Sequence, residues 1–248
     1  MSMILTVHGY NTDPYSDRFK DRPTEQQCAF AKALGPFSTM PFNWYSSVQV
    51  KDFIRCLRAG HLNTYAWAYK KLALQATDDF VKVVKSAKYP VDVFAHSLGS
   101  RVVLQALQQV PERFNRICFI NAAERSSVAK GIIRTAFVRG SNVDILNVCV
   151  QNDDILDKAA GYASPGLFTK EEILGQDGIG TRIIVPGDRG SYREIFIDDP
   201  LTQYEMKKKY GLDLRGDNPD DYGDHHFSYR HSGNWGLYSL FFNGDLSF

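Results

Sequence analysis

The sequence predicts one domain of the α/β class, with a mostly parallel sheet covered by helices on both faces, and three observations lead there. Over the first 150 residues, short β-rich runs alternate with helical patterns, the order that a sheet with helical crossovers leaves in a chain. The runs are apolar without polar alternation, as strands covered on both faces must be. A chain of 248 residues with 44% apolar content is long enough to bury one substantial core, so residues 1–248 are read as a single domain.

In chain order, strands are expected at 3–7, 39–44, 91–95, 117–121 and 145–150, with 182–185 and 194–197 as candidates for a later one. Between the second and third runs, Tyr65, Ala68, Tyr69, Leu72, Ala76, Phe80, Val83, Val84 and Ala87 recur at three- and four-residue steps, giving a long helix one apolar face. After the third run, Val103, Ala106, Leu107 and Val110 repeat that spacing, and Pro111 follows where the helix should stop. The stretch at about 159–223 is rich in Gly, Asp and Pro with weak periodicity and reads as an insertion of loops and short elements bordering a pocket. Residues 235–242 form a last apolar run and read as a terminal helix.

Charge narrows the partner. With 29 Lys and Arg against 28 Asp and Glu, nothing steers the chain toward nucleic acid or an anionic membrane, so a small molecule is the expected partner. No apolar stretch approaches the roughly 18 residues of a membrane span. Residues 3–7 read as a strand rather than as the apolar core of a signal peptide, so a cytoplasmic protein is expected. Cys28, Cys56, Cys118 and Cys149 are widely spaced, the last two inside apolar runs, and read as reduced thiols.

The chemistry centres on Ala95-His96-Ser97-Leu98-Gly99, which lies between an expected strand and an expected helix. A sharp strand-to-helix turn strains its central residue and leaves no room two positions to either side, and Ala95 and Gly99 meet that demand. A serine in an ordinary helix cap would not need two small neighbours. A serine nucleophile needs a histidine to take its proton and a carboxylate to orient that histidine. The fifth strand run ends in Gln151-Asn152-Asp153-Asp154-Ile155-Leu156, which offers two carboxylates. Of the histidines, His61 and His96 precede them and are set aside, while His225, His226 and His231 follow, the first two in Gly223-Asp224-His225-His226-Phe227-Ser228-Tyr229, a polar loop ahead of the terminal helix.

Together, Val7-His8-Gly9-Tyr10-Asn11, Trp44-Tyr45-Ser46, Ala95-His96-Ser97-Leu98-Gly99 and Gly223-Asp224-His225 resemble a mainly prokaryotic branch of the α/β-hydrolase family over nearly the whole chain. The elbow has Ala95 where the commonest pattern has glycine, and alanine is small enough. The resemblance implies Ser97 as nucleophile, Asp153 as acid, His225 as base, and the Tyr10 and Leu98 amides as oxyanion hole. Asp154 and His226 stand as the alternatives for acid and base. Asp153 is preferred because Ile155 and Leu156 follow it as apolar anchors. His8 is read as holding its loop by a structural hydrogen bond.

The implied activity is a serine hydrolase of the esterase or lipase type, acting on a small or medium apolar acyl group, with no cofactor. Tyr10, Trp44, Tyr45, Phe53, Tyr162 and Phe168 are candidates for an apolar acyl pocket. Two other readings compete. Asp224, His225, His226 and His231 could be metal ligands, although no HExxH or similar spacing accompanies them. The chain could also be a binding protein that keeps the fold without the chemistry.

Overall fold

In the computed structural model, residues 3–9, 25–44, 68–156, 172–180, 190–217 and 225–246 are described. Strands β1 (Met3–Val7), β2 (Ser38–Phe42), β3 (Val91–His96), β4 (Phe114–Ile120), β5 (Asp144–Cys149) and β6 (Ser191–Phe196) form one sheet in the order β2-β1-β3-β4-β5-β6. Every pairing is parallel. Helices α1 (Glu25–Leu34), α2 (Ala73–Ser86), α3 (Gly99–Gln109), α4 (Ser126–Val138), α5 (Leu174–Asp177), α6 (Pro200–Tyr210) and α7 (Trp235–Asn243) accompany it.

The absence of polar alternation has a direct cause: successive side chains of a strand enter two different cores. Leu5, Val7, Val93, Ala95, Ile117, Phe119 and Ile145 join one apolar cluster, with Phe80 and Val84 of α2, Val103 and Leu107 of α3, and Ile133 of α4. Ile4, Phe94, Cys118, Ile120, Leu146 and Val148 face the opposite cluster, with Phe30 and Leu34 of α1, Met206 of α6, and Tyr238, Phe241 and Phe242 of α7. Both strand faces are covered, so both residue parities must be apolar. Pro41, which has no N–H to give a ladder, sits in β2 at the end of the strand order.

The expected long helix begins with a π-helical turn, Ala68–Leu72, before α2 proper, and Tyr65 lies outside the described residues. Burial pushes the thiols of Cys118 and Cys149 up, and neither forms a disulfide; Cys28 is exposed. No helix among the described residues is long and apolar enough to cross a membrane.

Inside the stretch expected to hold inserted loops and short elements lie β6 and the 11-residue helix α6. Of the two candidates for a late strand, 194–197 overlaps β6, while 182–185 lies outside the described residues. Periodicity is blind to α6 because Met206 is its one buried residue. Its ends carry the signal instead. The Asp199 side chain accepts from Thr202 N–H, Pro200 opens the helix, and Gly211 closes it at φ 71°.

Candidate active site

The C-terminal ends of β3, β4 and β5 lie side by side, and the loops leaving them supply the site. Ser97 turns the chain from β3 into α3 at φ 52°, in the left-handed region that a side chain rarely adopts. Such a conformation costs about 1–3 kcal/mol and persists only where its surroundings impose it. The surroundings here are close backbone contacts. Ser97 N–H donates to Ile120 O at 3.1 Å, and Ser97 O accepts from Ala123 N–H at 3.1 Å and Ser100 N–H at 3.0 Å. A Cβ on Gly99 would come within 2.5 Å of His8 O, and one on Gly9 within 2.8 Å of Ser97 Cβ. The small residues are therefore dictated by β1, whose end presses against the start of α3.

Asp153 follows β5 and is fully buried. Its Oδ1 accepts from the N–H groups of Ile155 and Leu156, each at 3.0 Å. Its Oδ2 accepts from His226 Nδ1 at 2.8 Å. Because a carboxylate only accepts, that bond puts the imidazole proton on Nδ1 and leaves Nε2 as an acceptor. Ser97 Oγ lies 2.9 Å from Nε2 and donates to it. Burial raises the Asp153 carboxyl, but the electrostatic pull of His226, with hydrogen bonds from His226, Leu156 and Asn121, outweighs it and holds the group below the usual carboxylate range.

Of the residues expected from sequence, Ser97 and Asp153 are joined through His226, whereas His225 does not join them. Its Nδ1 lies 3.1 Å from Gly216 O, and its carbonyl accepts from Asn121 Nδ2 at 3.1 Å. Neighbouring residues point in different directions, and pinning the His225 carbonyl inward turns the next side chain, His226, toward Ser97. This corrects the choice of histidine. It also separates the two rings that a metal site would need to bring together; Asp224 lies outside the described residues, and no group of three His, Cys, Asp or Glu among those described could hold a metal ion. His231 accepts from Gly233 N–H instead. Asp154 is exposed, and so is Ile155, so the apolar anchor of the acid loop is Leu156 alone, packed with Ala123 and Ile173.

Leu98 is buried at the start of α3, and its amide has no protein acceptor among the described residues. Tyr10, the other expected oxyanion donor, lies outside them, as do Tyr45, Phe53, Tyr162 and Phe168. Trp44 is buried, stacks on His8 with ring centroids 5.5 Å apart, and donates from Nε1 to His8 O at 3.0 Å. His8 in turn lies 3.0 Å from Gly9 O through Nδ1, and burial pulls its pKa down to about 4, which keeps it neutral. His96, set aside on sequence grounds, is fully buried and donates from Nε2 to His226 O at 2.8 Å. Burial, then the adjacent His226, holds it well below the usual histidine range.

A serine on a strained turn after β3, a carboxylate after β5 and a histidine after β6, along a sheet ordered β2-β1-β3-β4-β5-β6, together settle the architecture. The fold is that of an α/β-hydrolase. No protein-family model matches the chain, and no curated protein does. Among solved structures, this α/β-hydrolase fold is similar to mouse alpha/beta hydrolase domain-containing protein 10, at 12% identity and TM-score 0.38, covering 82% of this chain and 86% of that one. It is also similar to an extracellular alpha/beta-hydrolase from a Paenibacillus species, at 18% identity and TM-score 0.32, covering 79% of this chain and 78% of that one. Overlaps this loose carry no weight beside the strand order and the turn at Ser97.

Two features escaped the sequence. Asn121, at the end of β4, is the second non-glycine residue with positive φ among those described, at 47°, and its side chain reaches Asp153. Beside the elbow, the buried Glu124 carboxylate accepts from Arg101, from Tyr69 and from its neighbour's N–H, while the Arg101 guanidinium lies 3.8 Å over the Tyr69 ring. That cluster ties the π-helical turn before α2 to the first turn of α3. An asparagine closing the apolar run at 117–121 was the signal available for the first feature; the second depends on residues far apart in the chain.

Proposed function

We propose that the protein is a serine hydrolase with Ser97 as nucleophile, His226 as base and Asp153 as acid. The observation that carries this is the unbroken hydrogen-bond chain from Ser97 Oγ through His226 to Asp153 Oδ2, with distances of 2.9 and 2.8 Å. As Ser97 Oγ attacks an acyl carbonyl, its proton passes to His226 Nε2, and Asp153 stabilises the imidazolium that forms. The tetrahedral oxyanion is held by the Leu98 N–H at the start of α3, with the Tyr10 N–H as its partner on the resemblance noted above. His226 returns the proton to the leaving alkoxide as the carbonyl–oxygen bond breaks, and an acyl-Ser97 ester is left. Water, deprotonated by the same histidine, then releases the acid and restores Ser97.

The substrate class proposed is a carboxylic ester of a small or medium apolar acyl group. A fluorophosphonate probe should label the wild type at Ser97 and leave Ser97→Ala unlabelled. A chain-length series of nitrophenyl esters should show turnover with an optimum at short or medium chains; absence of labelling and of turnover on every ester would overturn the reading.

A further inference from the structure

Beyond the three reacting groups, one buried side chain touches both the acid and the loop that bears the base. Asn121 Nδ2 carries two protons: one is donated to Asp153 Oδ2 at 2.8 Å, the oxygen that also accepts from His226, and the other to His225 O at 3.1 Å. Its Oδ1 accepts from Ser228 Oγ at 2.9 Å. The backbone N–H of Asn121 donates to Val148 O at 3.2 Å, which fixes the residue against β5 just ahead of the acid loop. One amide thus binds the acid and the residues on both sides of His226 within a few atoms, while Ile120, its predecessor, holds the Ser97 amide.

We infer that Asn121 is a positioning residue of the reaction, setting the Asp153 carboxylate and the 225–228 backbone so that His226 Nε2 faces Ser97 Oγ. The inference rests on the serine-hydrolase reading and adds a fourth residue to it. The chemistry of the position selects asparagine. Two acceptors and one hydroxyl must be met by two donors and one acceptor at a single short side chain, and no other residue of that size offers them. Aspartate would bring a second carboxylate against Asp153, and alanine would leave the Ser228 hydroxyl and the His225 carbonyl without their partner. The left-handed backbone, at φ 47°, is also one that asparagine accepts more readily than other side chains do.

The test uses the purified full chain, a nitrophenyl ester that the wild type turns over, and the fluorophosphonate probe. If the wild type neither labels nor hydrolyses, the serine-hydrolase reading fails and this inference falls with it. If the wild type is active, Asn121→Ala should lower kcat about 10- to 100-fold with KM changed less than about threefold, and probe labelling should slow in parallel. Asn121→Asp should lose at least as much. The acid limb of the rate profile of Asn121→Ala should move to higher pH, because a carboxylate relieved of one donor holds the imidazolium more tightly; a merely structural role would leave the profile where it is. Asn121→Gly removes the amide while relieving the left-handed backbone, so it guards against simple misfolding and should show the same kcat loss. Folded variants with wild-type kcat and pH profile overturn the inference, as does loss of folding in both Asn121→Ala and Asn121→Gly, which would make the role one of stability.

Discussion

The interior of the sheet and the rim at its C-terminal edge are built on opposite terms. Inside, β3 to β5 send alternate apolar side chains into two cores. At the rim, a few residues further along the same strands, Ser97 and Asn121 hold left-handed backbones, and Asp153, His226, His96 and Asn121 are buried polar groups joined in one network. Burial of apolar area is nondirectional and tolerates volume-conserving exchange, whereas a buried polar network loses most when one partner is removed. The interior should therefore set stability and the rim activity, with the rim strained at the interior's expense.

The largest effect expected lies at the rim. His226→Ala should lower kcat by about 10⁴-fold or more, as loss of a base does in comparable triads, whereas His225→Ala, which removes only the contact to Gly216 O, should stay within about tenfold. Steady-state ester hydrolysis by the two variants checks this, and the reverse result would return the base to His225. Next comes the interior. Phe94 is fully buried against Phe30 and Tyr238, and Phe94→Ala should cost about 3–5 kcal/mol in denaturant unfolding while activity per folded molecule persists.

His8 links the two regions, being a rim residue whose effect is on stability. Its folded pKa, about 4, lies below the ordinary 6.5, so between those values the unfolded chain binds a proton that the folded chain does not. Its share of stability is complete above pH 6.5 and is lost as the pH falls toward 4, amounting to about 3 kcal/mol in all. Asp153 acts in the same sense: its lowered carboxyl contributes above the ordinary 3.8 and loses that share as the pH falls through the lowered value. Urea unfolding at pH 7 and pH 4.5 should show His8→Asn losing less stability on acidification than the wild type; equal losses would place the acid sensitivity elsewhere. The smallest effect belongs to Asp154→Asn, which should leave kcat within about threefold because this side chain is exposed and solvated.

The interior was legible because periodicity reports burial. The runs at 3–7, 91–95 and 145–150 sit on β1, β3 and β5, and the spacing from Val103 to Leu107 sits on α3, since apolar faces repeat with the geometry of the element. α6 was not picked out for the same reason in reverse: with Met206 alone buried there was no stripe to count, although Asp199, Pro200 and Gly211 marked its ends. At the rim, Gly99 betrayed the turn, because a Cβ at that offset from Ser97 would meet the backbone oxygens of Val7 and His8.

By itself, then, the sequence determined the α/β class, most of the strands and the turn at Ser97, all of which follow from local sterics and from burial along one element. Only the tertiary structure decided which of two adjacent aspartates and which of two adjacent histidines turn inward, and which asparagine holds Asp153. Those choices depend on carbonyls and carboxylates brought together from β4, β5 and the 225–228 loop, and hydrogen-bond partners 32 to 104 residues apart leave no periodic trace in the chain.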